Sequence, residues 1–426
     1  MQLSHFIYNE REFKFFKKVI RISVYKKNLV IMWFANFFVA ASSTMVLPFL
    51  SLYIETLGSY SDGFTAKWSG YVFGVTFLMA FLVSPFWGRF GDKHGYKKIL
   101  LITGTGIGTS ILLMSLVSSV YELFFLRMAM GLVTGFIPTS LAMISAQTPK
   151  KTAGKVLGTL QMGTVSGGLF GPLLGGLLAD RVGFTYTFFI TSFAIYSAVF
   201  LVFAGVRERP LKQKRDASAG YTRKQVLQTI LHQRPLITAM ILTAVIQVGN
   251  FSVQPLLALY VSELHGTQNL AFFSGLAFSA TGLGSLLAAR KWGALGDRFG
   301  HGKILMILAL AAAVCVIPQG LTSQYETLVF FRFLFGIALG GMIPCITALI
   351  RVESPGPIQG EVLGYNVSFR FLGNVIGPVL GGILSSFFGI SSAFYATAVL
   401  FFGGACLLMF QRSQQKNQRR KQAEIG

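Results

Sequence analysis

From Gly158 to Gly176 the chain reads GTLQMGTVSGGLFGPLLGG, and from Gly364 to Gly382 it reads GYNVSFRFLGNVIGPVLGG. Gly158, Gly167, Gly171, Pro172, Gly175 and Gly176 return as Gly364, Gly373, Gly377, Pro378, Gly381 and Gly382, each displaced by 206 residues. So many identities at one offset, inside otherwise different apolar runs, mark the chain as two related halves. Glycine at roughly i, i+4 and i+8 strips one helix face of side chains, so neighbouring backbone can approach closely. A membrane helix tolerates the proline when neighbours satisfy the freed carbonyl. The expectation is one such helix per half, packed tightly at the seam between the halves.

The runs that carry these glycines belong to a larger set. Twelve apolar stretches of spanning length lie at 29–54, 69–88, 98–119, 121–146, 154–180, 184–206, 235–262, 270–292, 303–321, 325–349, 359–386 and 391–411. About 20 apolar residues cross the hydrocarbon core, so each is long enough. With 53% hydrophobic and 12% charged residues, the composition exceeds what a soluble core needs. The predicted fold is an all-α membrane protein of twelve transmembrane helices in two pseudo-symmetric six-helix bundles, 29–206 and 235–411. A basic segment (1–28, with Phe6, Phe13, Phe16 and Ile20 at near-helical spacing) precedes them, a polar linker (207–234) joins them, and a basic tail (412–426) follows. Residues 1–28 show no small-residue cleavage site, so no cleaved leader is expected there.

A net charge of +22 invites a nucleic-acid reading, which fails once the charges are placed. Of the 37 Lys and Arg, only Lys67 and Arg181 fall on one side, and Arg127, Arg332 and Arg370 lie inside apolar segments. All the others sit at the termini or in and beside the loops after even-numbered segments. That asymmetry predicts both termini in the cytoplasm, with the basic excess facing anionic lipid and not DNA. The three cysteines (Cys315, Cys345, Cys406) lie in apolar runs and suggest neither disulfides nor a metal site. Gly104-Thr-Gly106-Ile-Gly108 follows no strand, so it is no nucleotide loop. Nothing points to an enzyme or a cofactor.

The repeat extends beyond the glycines. Pro48-Phe-Leu-Ser-Leu-Tyr53 answers Pro255-Leu-Leu-Ala-Leu-Tyr260. Trp87, Gly88, Gly91, Asp92, Gly95 and Lys98 match Trp292, Gly293, Gly296, Asp297, Gly300 and Lys303, and Arg127, Gly131 and Gly135 match Arg332, Gly336 and Gly340. Parallel six-helix copies are how many secondary transporters place a site between two halves at mid-membrane.

These motifs carry a family resemblance over almost the whole chain after residue 28. WGRFGDKHGYKK resembles the short loop signature of the major facilitator superfamily, Arg127 with Gly131 and Gly135 its segment-4 motif, and the glycine–proline run of segment 5 the motif of twelve-helix drug:proton antiporters. Gly91 and Tyr96 depart from the loop pattern, where alanine and a basic residue are common. The resemblance implies a proton-driven exporter of small drug-like or amphiphilic compounds in the bacterial inner membrane, a monomer, with protons and membrane lipids as its other partners. It also implies a gating role for Asp92, with Lys93 beside it and Asp297 and Arg298 as counterparts. A part in proton coupling is implied for Arg127, with Glu122 nearby, and for Arg332. An importer of a sugar or organic acid on the same fold is the alternative.

Three arginines inside apolar segments are costly, at roughly 2.5–3.5 kcal/mol each at a helix centre. Arg127 and Arg332 lie six or seven residues into their segments, close enough to an end to snorkel. Glu122 and Glu326 precede them by five and six residues, offsets that put the pairs on different faces. Asp92 follows a glycine in a tight turn, where it can cap the next helix or bond a neighbouring span. Arg370 is deeper, and Asn366, Arg370 and Asn374 form one polar stripe at i, i+4, i+8. Segment 5 has Leu160, Thr164 and Gly168 at those places, so a charge was installed in one half only. This points to a substrate cavity and to anionic groups among its ligands. Asn36, Gln161, Gln247, Asn250 and Gln254 are the other expected substrate contacts. All 15 Asp and Glu fall at ends, in loops or near segment boundaries, which leaves the proton site among Asp92, Glu122, Glu326, Glu55 and Glu361.

Overall fold

The computed structural model describes residues 26–148, 152–208, 223–355 and 358–425. Most of the N-terminal basic segment, where the aromatic spacing suggests an interfacial helix, and half of the linker (209–222) therefore lie outside the described residues. Every described element is helical. Eleven stretches are long and apolar enough to cross a membrane. One of them, Ala153–Gly205, turns at Gly183, whose φ of 82° falls in the left-handed region that glycine tolerates. It therefore makes two crossings, 153–182 and 184–205, and the expected twelve are present.

In chain order these are α1 (Lys26–Thr56), α2 (Asp62–His94), α3 (Tyr96–Met114), α4 (Val120–Gln147), α5 (153–182), α6 (184–205), α7 (Arg234–His265), α8 (Leu270–Phe299), α9 (His301–Leu321), α10 (Tyr325–Glu353), α11 (Gln359–Phe388) and α12 (Ser391–Ile425). The helices overrun the apolar segments. α2 and α8 carry the loop signature as their last turns, and each ends at a single glycine, Gly95 (φ 96°) and Gly300 (φ 91°). α12 continues through the basic tail.

Other crossings are broken. α1 and α7 pass through short 3-10 turns, Leu47–Phe49 and Gln254–Leu256, because Pro48 and Pro255 have no N–H to continue the ladder. α4 stops at Leu132 and restarts at Phe136, whereas its counterpart α10 runs unbroken.

Repeated side-chain bonds confirm the internal symmetry. Tyr53 Oη donates to the Met114 carbonyl (2.8 Å), and Tyr260 Oη to that of Gln319 (2.7 Å). Trp87 Nε1 donates to the Leu132 carbonyl at the α4 break (2.8 Å), and Trp292 Nε1 to Ile337 (2.9 Å).

The glycine ladders do most of their packing inside each bundle, which corrects the expectation that they form the seam. Gly163, Gly167, Gly171 and Gly175 of α5 lie against the carbonyls of Trp33, Phe37, Ala41 and Met45 of α1, one per turn. Gly373, Gly377 and Gly381 of α11 lie against those of Ala244, Val248 and Ser252 of α7. A Cβ at any of these would collide with backbone. Only Gly176 and Gly382 look across to the other bundle, because one residue turns the helix by about 100°. Gly176 meets the Ala271 carbonyl of α8, and Gly382 meets α2 at Ala66 and Gly70. The partners in the seams are thus α8 and α2, whose Gly275 and Gly70 lie against the carbonyls of Pro172 and Pro378. Gly158 and Gly364 meet nothing within 4 Å and take no part in close packing.

The bundles meet most extensively along two seams, α2–α11 and α5–α8, with further contacts among α1, α2, α7 and α8, Phe77 against Phe251 among them. α2–α11 contacts run from Gly63 against Ser386 down to Phe81 against Phe371 (ring centroids 6.5 Å apart). α5–α8 contacts run from Asp180 at Ala271 down to Leu169 at Ser279. Both start at the end where α2 and α8 begin and reach the middle of the helices. The bundles meet at that far end and part toward the end that carries the basic loops.

Candidate substrate cleft

α11 presents three faces. Asn366, Gly373, Asn374 and Gly377 contact α7, and Phe371, Val375, Pro378 and Gly382 contact α2. Leu372 and Ile376 are exposed on a third side. By helical phase Val367 lies between the α7 and α2 faces, and Arg370 lies on the α7 side, between Gly377 and Asn374. Both are exposed, which sets Arg370 on the wall of the cleft between the bundles, near mid-helix. No hydrogen bond or ion pair holds its guanidinium among the described residues.

The rest of the predicted stripe is already bonded. Thr243 Oγ1 of α7 donates to Asn366 Oδ1 (2.7 Å), and Gln247 Nε2 donates to Asn374 Oδ1 (2.8 Å). Asn366, Asn374 and Gln247 therefore zip α7 to α11, above and below Arg370, instead of presenting free groups to a ligand. Asn250 and Gln254 are half-buried, Gln254 at the head of the 3-10 turn of α7.

The other bundle is built differently. Asn36 of α1 occupies the place of Thr243, but the position of Asn366 is taken by buried Leu160. Asn36 is fully buried, and neither amide atom has a partner among the described residues; the same is true of Thr164 Oγ1 of α5. Gln161 is exposed, on the side of α5 between the α1 and α8 contacts, and Gly168 there opens onto empty space.

One expectation is overturned for two of the arginines. Arg127 and Arg332 do not snorkel, since each is 3% exposed. Gly131 and Gly336, one turn on, draw α4 onto α2 at Thr76 and α10 onto α8 at Thr281, which walls the arginines in with backbone. Arg332 Nε donates to the Ala277 carbonyl (3.0 Å), while Nε and Nη2 of Arg127 are buried without a partner among the described residues. Glu122 does not reach Arg127, as the spacing foretold; its carboxylate accepts from the Ser118 N–H (2.9 Å) at the start of its own helix.

At the basic end Asp92 falls in the last turn of α2 and not in a loop, and its side chain is outside those described. The cap on the next helix, foreseen as one role for Asp92, is made by Glu208: Oε1 accepts from Tyr96 N (2.7 Å) and Oε2 from Lys97 N (2.9 Å). Lys97 Nζ returns the contact to the carbonyls of Phe203 and Val206 at the end of α6 (2.8 Å each). Lys93 is exposed. Asp297, with its side chain 79% exposed, sits 3.2 Å from His301 Nε2 at the start of α9. Arg298 lies over the Phe299 ring at 5.1 Å. A separate apolar groove of about 600 Å³ between α3 and α4, lined by Leu101, Gly106, Leu126 and Val133 among others, contains none of the predicted site residues.

Two parallel six-helix bundles, joined at one end and separated by a cleft with an unpaired cation, have the architecture of a solute carrier. The family model described as Major Facilitator Superfamily matches residues 32–290 and 240–425. The chain belongs to the major facilitator superfamily. It is thus a multi-pass membrane transporter. Among superfamily relatives, the uncharacterized MFS-type transporter YuxJ of Bacillus subtilis is 70% identical over 386 residues, 91% of this chain and 98% of that protein. The multidrug resistance protein MdtG of Dickeya zeae is 39% identical over 377 residues, 88% of this chain and 91% of that one. A solved bacterial homolog of the human lysosomal transporter Spinster, inward-facing and unoccupied, superposes with a TM-score of 0.73 at 16% identity, covering 92% of this chain and 96% of that one. At that identity it supports the fold alone.

Sequence reasoning missed Thr243, Glu208 and Asp180. Each makes its contact with a residue 90 or more positions away, so no local spacing announces it.

Proposed function

We propose that this chain exports small amphiphilic, drug-like compounds across the bacterial inner membrane in exchange for protons, with both termini in the cytoplasm. The observation that carries the reading is the 39% identity to a multidrug resistance protein over nearly the whole chain. The geometry agrees with it: the cleft opens toward the basic end, which the distribution of Lys and Arg assigns to the cytoplasm. A solute enters there, the far-end seams part, and the basic end closes behind it.

Within the cleft, Arg370 supplies a positive charge that no described carboxylate neutralises. Every described Asp and Glu lies in a loop or within about a turn of a helix end. The reading therefore assigns proton coupling to an acid at a helix end, and assigns Arg370 the recognition of substrates bearing an anionic group. Asn36, whose amide has no partner, and exposed Gln161 add hydrogen-bonding capacity from the other bundle.

The test is a panel of neutral, cationic and anionic compounds on cells lacking or overproducing the protein. Overproduction is expected to raise tolerance to a subset, and Arg370→Ala to lower export of the anionic members about tenfold while sparing the neutral ones. Equal loss across all three classes contradicts the role of Arg370. Unchanged tolerance to every compound, with uptake of a metabolite instead, contradicts export.

A further inference from the structure

The two seams are closed by different chemistry. In the α2–α11 seam the first turn of α2 is capped from within its own bundle, by Ser61 Oγ accepting from Phe64 N (3.3 Å). In the α5–α8 seam, α8 begins at Asn269, whose φ of 49° is left-handed and whose side chain makes no cap. The cap comes from the other bundle: Asp180 of α5 accepts Ala271 N–H on Oδ1 (3.1 Å) and Phe272 N–H on Oδ2 (2.7 Å). A carboxylate on a helix N-terminus meets unpaired N–H groups and the positive end of the dipole, and such charge-assisted bonds are among the stronger ones. The position equivalent to Asp180 in α11 is Ser386, which turns back to its own Ile383 carbonyl (2.7 Å). Ala271 is also the residue whose carbonyl lies against Gly176, and lower in the same seam Ser279 Oγ donates to the Leu169 carbonyl (2.8 Å).

We propose that Asp180 is the latch of the far-end gate. It is a positioning residue that holds the bundles together at α5–α8 and must release α8 each time the cleft opens to the far side. The first turn of α8 has no cap of its own, so parting the bundles there strips the helix of its cap and Asp180 of its donors in one step. At α2–α11 parting removes backbone, aliphatic and aromatic packing but no helix cap, since α2 keeps Ser61. The gate therefore opens asymmetrically, with its barrier concentrated in the α5–α8 seam. This inference rests on the alternating-access part of the functional reading and not on the nature of the substrate.

The experiment uses the full chain in proteoliposomes, with Cys315, Cys345 and Cys406 replaced and spin labels on exposed Thr185 and Gln268, one in each bundle at the far end. A second pair on Gln268 and Ser323, both in the later bundle, reports the integrity of the α8 start. Asp180→Ala is expected to raise the ratio of long to short distances for the first pair about tenfold and to leave the second pair unchanged. Asp180→Asn is expected to fall between, and Asp180→Glu to return toward wild type. A first pair unmoved by Asp180→Ala, in a wild-type chain that does sample both distances, overturns the latch alone. Equal broadening of both pairs reduces Asp180 to a structural cap and also overturns it. A single short distance in wild type and variant alike, with a proton gradient applied, contradicts alternating access together with the latch.

Discussion

The contact of α1 with α5 and that of α7 with α11 are the same joint built twice, and they differ in one respect. Both use a glycine every turn against a ladder of carbonyls, so both need helix axes closer than side chains allow. In α7–α11 two side-chain pairs, Thr243–Asn366 and Gln247–Asn374, stitch the joint. In α1–α5 the corresponding partners are Leu160 and Gly168, and Asn36 is left with an unpaired, fully buried amide. The glycines are the shared mechanical device, whereas the polar groups are allocated by half. One joint is fastened and carries a free arginine beside its fastenings; the other keeps a polar group in reserve. A buried amide without a partner costs about 1–3 kcal/mol, a cost that packing alone gives no reason to retain.

The largest expected effect strikes what the two joints share. Gly171→Leu or Gly377→Leu drives a side chain into the Ala41 or Val248 carbonyl and should reduce export below about a tenth of wild type while membrane insertion persists; core overpacking of this kind costs about 1–3 kcal/mol or more. Gly158→Leu and Gly364→Leu, at ladder positions with open space, should retain most export. Wild-type export by the first pair breaks the joint as described. Transport in vesicles and quantitative blotting of membrane fractions give the two readouts.

A smaller effect sharpens the difference between the joints. Asn374→Ala removes the acceptor of Gln247 and should lower stability by about 0.6 kcal/mol, an average value for hydrogen bonds between membrane helices, and by no more than about 2 kcal/mol. Asn36→Leu removes no bond, so its stability should stay level or rise, with export falling severalfold. Thermal unfolding in detergent, followed beside transport, separates the cases. If Asn36→Leu destabilises as much as Asn374→Ala, Asn36 belongs to the joint and not to the cleft. The smallest effect lies outside both joints: Glu208→Ala uncaps α3 and should cost about 1 kcal/mol in the same unfolding assay, with export nearly unchanged.

Much of this was legible in the chain itself. The offset of 206 between Gly171 and Gly377 announced two bundles, and the apolar lengths and basic loops gave the crossings and their expected orientation. The broken symmetry at Arg370 singled out the residue that the structure leaves unpaired on the cleft wall. What the glycines touch was not legible. Gly175 and Gly176 are neighbours in sequence but face α1 and α8 respectively, and only the assembled bundle says which helix stands on each side. Arg127 and Arg332 were misjudged because distance from a segment end says nothing about the walls that Gly131 and Gly336 raise around them. Asn366 and Asn374 looked like free ligand groups since their partners, Thr243 and Gln247, lie more than 120 residues away. The breaks at Pro48 and Pro255 had a local cause in the sequence, whereas the break between Leu132 and Phe136 contains no proline.

The central claim is that the cleft between the bundles is emptied by protons moving the other way. Purified protein in sealed vesicles, given an imposed pH gradient and an amphiphilic anionic dye, tests it directly. The account predicts dye accumulation against its own gradient, collapse of the pH difference in step with it, and loss of both in Gly377→Leu. Dye movement that ignores the pH gradient, or a pH gradient that decays identically with and without dye, would contradict it.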